Sequence, residues 1–232
     1  MTYSIVVPCY NEAKNIPLIL SRFDQVMTRN DVEVLLVNNG STDDSQAVFD
    51  ERVPTYSFAR VVNVPVNKGY GYGIRQGLDA ATGDIIGWTH ADMQTDPNDV
   101  IMAIDWLSSQ PDQSQFFVKG LRKGRPIFDQ FFTIGMSVFE FFLLGKPLWD
   151  INAQPNLFSK SFYQSWTQPP DDFALDLYAY YQAITQGLSI KRFDVQFPER
   201  LHGESHWNTS LGAKFKFIKR AMSFSLSLKK ML

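Results

Sequence analysis

The stretch from Asp84 to Pro97 constrains the fold of this chain more than any other part. It opens with a short apolar run, Ile85 to Trp88, directly after a Thr-Gly-Asp turn signal, and such a run is typical of a buried strand. Because Asp favours the N-cap of a helix and Pro its first position, we expect a helix to begin at Pro97, after Asp96. A buried strand, a polar loop and a helix start together indicate a ligand-binding edge in an open α/β sheet.

Three polar residues in that loop, His90, Asp92 and Gln94, are spaced by two. If the backbone is extended there, their side chains point the same way. A carboxylate and an amide oxygen, with an imidazole beside them, suit Mg²⁺ or Mn²⁺. Such a cation can bridge the protein and a nucleotide diphosphate. A polar strand end without an ion remains the alternative on this stretch alone.

Apolar runs alternate with segments of helical periodicity along the whole chain. This alternation predicts an α/β fold with a mainly parallel sheet, whose ligand loops cluster at the carboxyl ends of the strands. The predicted strands cover residues 3–8, 32–37, 59–64, 85–88, 115–118, 156–158 and 190–197. The predicted helices cover residues 16–27, 69–81, 127–148, 172–187 and 211–232, with two more around residues 42–49 and from residue 97.

Two nucleotide motifs are excluded by spacing. The glycines at 69, 71, 73 and 77 do not fit the Gly-x-Gly-x-x-Gly pattern of a dinucleotide site, and they follow the third strand rather than the first. The Gly-x-x-x-x-Gly-Lys-Ser/Thr pattern of a P-loop does not occur. The single cysteine, Cys9, excludes an internal disulfide.

The second half of the chain holds two unusual segments. Residues 119–126 carry four basic side chains, two glycines and a proline, which predicts a mobile cationic loop that either holds phosphate or is simply solvated. Residues 127–148 form a helix whose apolar arc is wide for a surface helix. Packing in a large core is the interpretation that we favour for it, with a membrane interface as the alternative.

Charge is unevenly distributed along the chain. The net charge is −2, yet six basic residues and no acidic one follow Glu204. Residues 211–232 therefore read as a basic amphipathic helix, suited to an anionic membrane surface or a partner groove; an acidic body and the absence of a recognition motif argue against nucleic acid. With no signal peptide and no membrane span in the sequence, we expect a cytoplasmic protein, peripheral at the cytoplasmic face of the membrane.

Several motifs occur in a fixed order: Ile5-Val6-Val7-Pro8-Cys9-Tyr10-Asn11-Glu12, Val37-Asn38-Asn39-Gly40-Ser41-Thr42-Asp43, Asn67-Lys68-Gly69 and His90-Ala91-Asp92-Met93-Gln94-Thr95-Asp96-Pro97. Together they resemble glycosyltransferase family two, which has the GT-A fold. The basic segment after Val118, residues 150–155 and residues 200–208 are similar to the dolichol-phosphate mannose synthase and polyprenyl-phosphate sugar transferase branch. The resemblance implies a GT-A domain over about residues 1–210, with a Rossmann-like sheet flanked by helices, and leaves 211–232 as the basic amphipathic C-terminal helix.

The resemblance also implies roles for individual residues. Those that match nucleoside-binding positions are Pro8, Tyr10, Glu12, Val37 and Asn39, with Lys68 and Gly69 near the base or ribose. Those that match the diphosphate and metal positions are Ala91, Asp92 and Gln94. The basic residues that match positions clamping phosphates or the donor are Arg122, Arg200 and His206.

Three departures from the family pattern involve four residues. The family usually has Asp at the position of His90, Asp-Asp at Asn38-Asn39 and often Lys at His206. Neutral His still binds Mn²⁺ and Asn still accepts a hydrogen bond. The loss of acidic groups nonetheless predicts weaker metal binding or a different donor base.

The expected function is an inverting transfer of a sugar from a UDP- or GDP-sugar, with Mg²⁺ or Mn²⁺ as the cofactor. Asp92, Arg122 and Arg200 are the residues expected to act on the leaving diphosphate. A polyprenyl phosphate acceptor would need no general base, whereas a saccharide hydroxyl would need a carboxylate, for which Asp176 is the first candidate and Asp171 and Asp172 the others. A nucleotide-sugar-binding protein of little catalytic power is the remaining alternative, and a separate membrane subunit is left open.

Overall fold

The computed structural model describes residues 1–124, 127–198 and, near the C-terminus, residues 219, 222–226, 228 and 229. The predicted site residues Arg200 and His206 lie outside the described residues. Of the predicted C-terminal helix, the described positions are helical, and the rest of it also lies outside them.

Seven strands form one sheet, as the alternation of strand and helix patterns predicts. Their order is β3-β2-β1-β4-β6-β5-β7, and every adjacent pair is parallel except the two that involve β6. The strands are β1 (Tyr3–Cys9), β2 (Val32–Asn39), β3 (Ala59–Val64), β4 (Ile85–Trp88), β5 (Phe116–Lys123), β6 (Asn156–Ser159) and β7 (Ser189–Gln196). The predicted mainly parallel α/β sheet is confirmed.

Helices cover both faces of this sheet. They are α1 (Ile16–Val26), α2 (Ser45–Arg52), α3 (Tyr70–Ala80), α4 (Pro97–Ser108), α5 (Ile127–Leu144), α6 (Lys160–Gln164) and α7 (Leu175–Thr185), with 3₁₀ turns at Val53–Thr55 and Gln113–Gln115. Helix α4 begins at Pro97 as predicted, because the Asp96 side chain accepts a hydrogen bond from the Asn98 amide at 2.9 Å. The short helix α6 was not predicted, since one turn leaves no periodicity to detect.

Two apolar layers lie on opposite faces of the sheet. Val6 faces the layer beneath α3 and α7, whereas its neighbours Ile5 and Val7 face the layer that includes residues of α1 and α4. This is the alternation that a pleated strand buried on both faces requires. The glycines of α3 belong to this packing: a Cβ at Gly77 would lie 2.8 Å from Cγ2 of Val37, so glycine lets the helix approach the sheet.

Strand β5 corrects one prediction. Residues 119–123, expected in a mobile loop, continue the strand and pair with β7 as far as Lys123 opposite Gln196. The loop was predicted because charged side chains seldom lie in buried strands unless they are paired. Here Lys119 is fully buried, and its ammonium group donates hydrogen bonds to Ala153 and Asn156, which allow it to lie in the strand.

Helix α5 buries one side and exposes the other. Ser137, Glu140 and Leu144 are buried, and Glu140 accepts a hydrogen bond at 2.6 Å from the Ser225 hydroxyl of the C-terminal segment. A neighbouring side of the helix exposes the apolar side chains Ile134, Val138, Phe141 and Phe142. In the part of the chain that the structure describes, no helix has the length and hydropathy to span a membrane.

Candidate active site

Polar loops meet at the carboxyl ends of β1 and β2. The Asn11 amide donates to the Ser41 hydroxyl at 3.1 Å, and the Glu12 amide donates to the Ser45 hydroxyl at 3.0 Å. In return, the Thr42 amide donates to the side-chain oxygen of Asn11 at 2.8 Å. These hydrogen bonds hold the two loops as one edge, where a nucleoside would lie by the rule for open α/β sheets.

The predicted nucleoside residues differ in how accessible they are. Tyr10 is 39% exposed and offers its ring to solvent, and Pro8 and Glu12 are half-buried. The Val37 side chain is fully buried beneath α3, so it shapes the sheet under the site rather than its surface. Lys68 is exposed, with its ammonium 5.0 Å from the centroid of the Tyr72 ring.

Asn38 and Asn39, where the family usually has acidic residues, use their amide groups as donors. The Asn38 Nδ2 donates to the Gln46 side-chain oxygen at 2.7 Å, and its Oδ1 accepts from the Ser41 amide at 3.1 Å. The Asn39 Nδ2 donates to the Gly69 carbonyl at 3.0 Å. An aspartate cannot donate at either position, so the two amides are built into this edge of the sheet.

The start of α3 lies against residues 170–172, which precede α7. Gly69 has φ 135°, and a Cβ there would collide with the carbonyl oxygen of Asp171. The Tyr72 amide donates to that same carbonyl at 2.9 Å, and Arg75 pairs with the Asp171 carboxylate at 2.6 Å. Gly69 and Gly71 therefore let two segments approach each other beside the site.

The loop after β4 is folded back rather than extended. Met93 has φ 59°, and the side-chain hydroxyls of Thr89 and Thr95 lie 2.9 Å apart in a buried contact. The expectation that an extended backbone aligns residues 90, 92 and 94 is therefore wrong. The Asp92 Oδ1 instead accepts from the Gln94 amide at 3.1 Å, which closes a turn.

The donor set of this loop fits a hard divalent cation. Asp92 supplies a carboxylate, and the Gln94 side chain donates its Nε2 to the Pro198 carbonyl at 2.9 Å, which directs its Oε1 the other way. Across residues 1–124, 127–198 and the described C-terminal positions, no three His, Cys, Asp or Glu side chains are grouped to hold a metal by themselves. A cation would therefore need ligands of two kinds: the protein side chains of Asp92 and Gln94 or His90, and the phosphates of a bound ligand.

Aromatic rings connect this loop to the surface. The Tyr70 ring stacks on the His90 ring, with centroids 6.0 Å apart, and on the Phe173 ring, with centroids 4.9 Å apart and planes within 15°. Phe173 is 45% exposed. Three segments, the start of α3, the loop after β4 and the segment before α7, therefore share one stack.

Asp176, expected as a candidate base on a polar helix face, is buried in a polar network. The Gln154 Nε2 and the Asn156 Nδ2 donate to its Oδ1 at 2.6 Å and 3.1 Å. Lys119 donates to the Asn156 Oδ1 at 2.9 Å and to the Ala153 carbonyl at 2.7 Å. Burial raises the pKa of Asp176, although the charges of Lys119 and His90 act to lower it. Burial also lowers the pKa of Lys119, to about 7.

Arg122 is neutralised by Asp150. Its guanidinium contacts the Asp150 Oδ1 through Nε at 2.9 Å and also through Nη2, and its backbone amide donates to Oδ2 at 2.8 Å. Their side chains are only 10% and 4% exposed. Burial alone would raise the pKa of Asp150, but Arg122 holds it below its usual range. The predicted phosphate clamp at Arg122 is thus a buried ion pair in this structure.

Tyr70, Lys119 and Asn156 are the site residues that sequence reasoning missed. Tyr70 lies among the glycines that were set aside once the dinucleotide pattern failed. Lys119 was assigned to a loop, and Asn156 to an ordinary strand. Only a polar residue within an apolar strand pattern signals such a buried network, and that signal does not name the partner.

A family model and several known proteins match part of this chain. The family model described as glycosyl transferase family 2 matches residues 4–143. An undecaprenyl-phosphate 4-deoxy-4-formamido-L-arabinose transferase of Klebsiella pneumoniae is 35% identical over 101 residues, which cover 42% of this chain and 31% of that protein. An uncharacterized glycosyltransferase of Bacillus subtilis is 33% identical over 128 residues, 54% of this chain and 39% of its own length. The matches thus span between three-tenths and two-fifths of these relatives.

Solved structures share the fold over nearly the whole chain. Glucosyl-3-phosphoglycerate synthase from Mycobacterium tuberculosis, in complex with Mn²⁺, UDP and glucosyl-3-phosphoglycerate, aligns with a TM-score of 0.75 at 20% identity. The alignment covers 98% of this chain and 79% of that one. At this level of identity, the likeness establishes the GT-A fold alone.

Proposed function

Because this chain belongs to glycosyl transferase family 2, we propose that it is a metal-dependent inverting transferase that moves a sugar from a nucleotide-diphosphate donor to a polyprenyl phosphate. The main observation behind this proposal is the edge of the sheet at the carboxyl ends of β1, β2 and β4. These strands are adjacent and parallel, so Tyr10, Asn39 and the Asp92 turn all lie at their carboxyl ends. A nucleoside fits the ends of β1 and β2, and a diphosphate fits the Asp92 turn.

Asp92 and Gln94 would hold the cation together with the donor's phosphates, and His90 is the remaining candidate ligand. When bound, the cation supplies positive charge that stabilises the leaving diphosphate. The Gln94 amide donates to the Asp92 Oδ1, and this hydrogen bond holds the carboxylate in the turn. UDP is the first nucleotide to test, since the Mycobacterium tuberculosis synthase was solved with UDP and Mn²⁺.

The state of the candidate bases favours a phosphate acceptor. Asp171 is paired with Arg75, and Asp172 accepts from the Ala174 amide at 2.9 Å. Asp176 is buried and accepts from two side-chain amides. A phosphate oxygen is ionised near neutral pH and attacks the anomeric carbon without a base. The name of the Klebsiella pneumoniae relative also specifies an undecaprenyl-phosphate acceptor.

The exposed side of α5 favours an acceptor that is presented at a membrane. It carries Val138, Phe141 and Phe142, of which Phe142 is 79% exposed. The adjoining C-terminal segment exposes Met222 and Leu226 beside the exposed cation Lys219. Exposed apolar side chains with a cation nearby suit an anionic lipid surface, such as the cytoplasmic leaflet.

The test is transfer of labelled sugar from UDP- or GDP-sugars, with Mn²⁺, to undecaprenyl phosphate. We expect label in the lipid product, no label when undecaprenol replaces the phosphate, and no transfer by Asp92→Ala. Equal labelling of undecaprenol, or transfer that survives Asp92→Ala, contradicts the proposal. Undecaprenol is the matched control because it lacks only the phosphate.

A saccharide hydroxyl acceptor is the second candidate, and the raised pKa of Asp176 favours it. Burial raises the pKa of Asp176 above its usual range, which makes its carboxylate a stronger base than an exposed one. In that case, label passes to a saccharide rather than to the lipid phosphate. Asp176→Asn then abolishes transfer while leaving nucleotide binding intact.

A further inference from the structure

The Tyr70 hydroxyl is buried and makes no hydrogen bond of normal geometry among the described residues, although the Trp88 indole N–H lies near it. Buried hydroxyls in native proteins are almost always hydrogen-bonded, so one without a partner calls for an explanation. It lies at the start of α3, in the group of residues that surrounds the loop after β4.

The ring that carries this hydroxyl is held firmly. It stacks on both the His90 ring and the Phe173 ring. The backbone on either side is fixed as well, because Gly69 and Gly71 lie against residues 170–172, where a Cβ at Gly71 would be 2.6 Å from the Asp172 carbonyl. The hydroxyl therefore cannot swing away to find a partner without breaking the stack.

Two carboxylates and one donor surround it. The charges of Asp176 and Asp92 and the indole N–H of Trp88 act on the hydroxyl. A neutral tyrosine hydroxyl can donate one hydrogen bond and accept others. Two carboxylates, a neutral hydroxyl and the exposed face of Phe173 are the chemistry that recognises a carbohydrate, whose hydroxyls bind polar groups and whose C–H faces pack on aromatic rings.

We propose that the Tyr70 hydroxyl binds a hydroxyl of the sugar that the donor carries, with the Phe173 ring beside it. This inference rests on the proposed function, because it requires a nucleotide-sugar donor at this edge of the sheet. The nucleotide part of the donor would contact other residues, chiefly the loops after β1 and β2. Removing the Tyr70 hydroxyl should therefore separate sugar binding from nucleotide binding.

The experiment measures, by calorimetry with Mn²⁺, the dissociation constants of a nucleoside diphosphate and of its sugar conjugate. The probes are UDP with UDP-glucose and GDP with GDP-mannose. Tyr70→Phe keeps both ring stacks and loses only the hydroxyl. We expect it to weaken binding of the sugar conjugate by about five- to tenfold, as for a lost neutral hydrogen bond, and to leave binding of the diphosphate within about twofold.

The matched control is Tyr72→Phe, which removes a hydroxyl two residues further along the same helix. It should change neither dissociation constant. The thermal midpoint of Tyr70→Phe should stay close to that of the wild type, because the free protein loses no hydrogen bond of normal geometry. Equal weakening of both ligands, or of neither, overturns the inference while the donor site stands. A wild-type chain that binds no nucleotide overturns the proposed function and this inference with it.

Discussion

The side-chain amide of Asn39 donates to the backbone carbonyl of Gly69 at 3.0 Å, and this hydrogen bond joins the end of β2 to the start of α3. Asn39 is 3% exposed, so water does not replace the bond. A carboxylate at this position would face a carbonyl oxygen that cannot become a donor. The departure from the family's acidic pair is therefore part of how this chain joins β2 to α3.

Asn39→Asp, which restores the family residue, should destabilise the protein by at least about 2 kcal/mol, because it leaves a buried charged acceptor facing another acceptor. Urea unfolding at neutral pH measures the difference. Asn38→Asp should cost less, since the Gln46 side-chain amide that faces it can turn and donate. If Asn39→Asp is as stable as the wild type, the Asn39–Gly69 hydrogen bond does not have this structural role.

Arg122→Met should destabilise the protein by about 3–5 kcal/mol, because it leaves the Asp150 carboxylate buried without its main partner. The matched control is Lys123→Met, the next residue of the same strand. Lys123 contacts Asp194 at 3.5 Å in an exposed pair, which is worth at most about 1 kcal/mol. Equal losses in the two variants, by urea unfolding, would show that Arg122 is not the structural ion pair described above.

The same pair predicts a pH dependence. Arg122 holds the pKa of Asp150 below 3.8, so the stability that this carboxylate contributes is complete above that value and is lost as the pH falls through the lowered pKa. Asp150→Asn should therefore be much less stable than the wild type at pH 7, with a gap that narrows at pH 3 and below. Unfolding series across this range measure the gap, and a constant gap contradicts the assignment.

Replacing Val138 and Phe142 together by Ser should weaken binding to phosphatidylglycerol vesicles by tenfold or more, since burial of one large apolar side chain contributes roughly 1.5–3 kcal/mol. Met102→Ser on α4 removes a side chain that is 52% exposed away from this side of α5, and it should leave binding unchanged. Vesicle sedimentation compares the three proteins. If both variants bind like the wild type, the exposed side of α5 is not the membrane surface.

Much of the fold was predictable from the sequence because local patterns determine it. β3 and β4 have the predicted bounds, and α4 begins at Pro97, since apolar runs and a helix cap are local signals. The end of β5 was not predictable, because Lys119 and Arg122 are stabilised by Asn156 and Asp150, partners far away in the chain. Pairing of that kind overrides the rule that charged residues mark loops.

The candidate site was predictable only as far as its residue types. Motif order placed Asp92 and Gln94 at one sheet edge, but the positive φ of Met93 folds their loop in a way that a spacing of two does not predict. The role of Gly69 and Gly71 depends on a close approach by residues 170–172, which no local pattern records. Tyr70 enters the site for the same reason.

The most direct measurement is the thermal stability of the full chain with UDP or GDP, each in EDTA, Mg²⁺ or Mn²⁺, for the wild type and Asp92→Ala. A ligand at about 100 times its Kd stabilises a fold by about 2.7 kcal/mol, a readily visible shift. We predict that one nucleotide stabilises the wild type only with metal, and that Asp92→Ala abolishes the effect. No shift with any nucleotide in any metal would contradict a working donor site, and it would indicate that His90, Asn38 and Asn39 have disabled it.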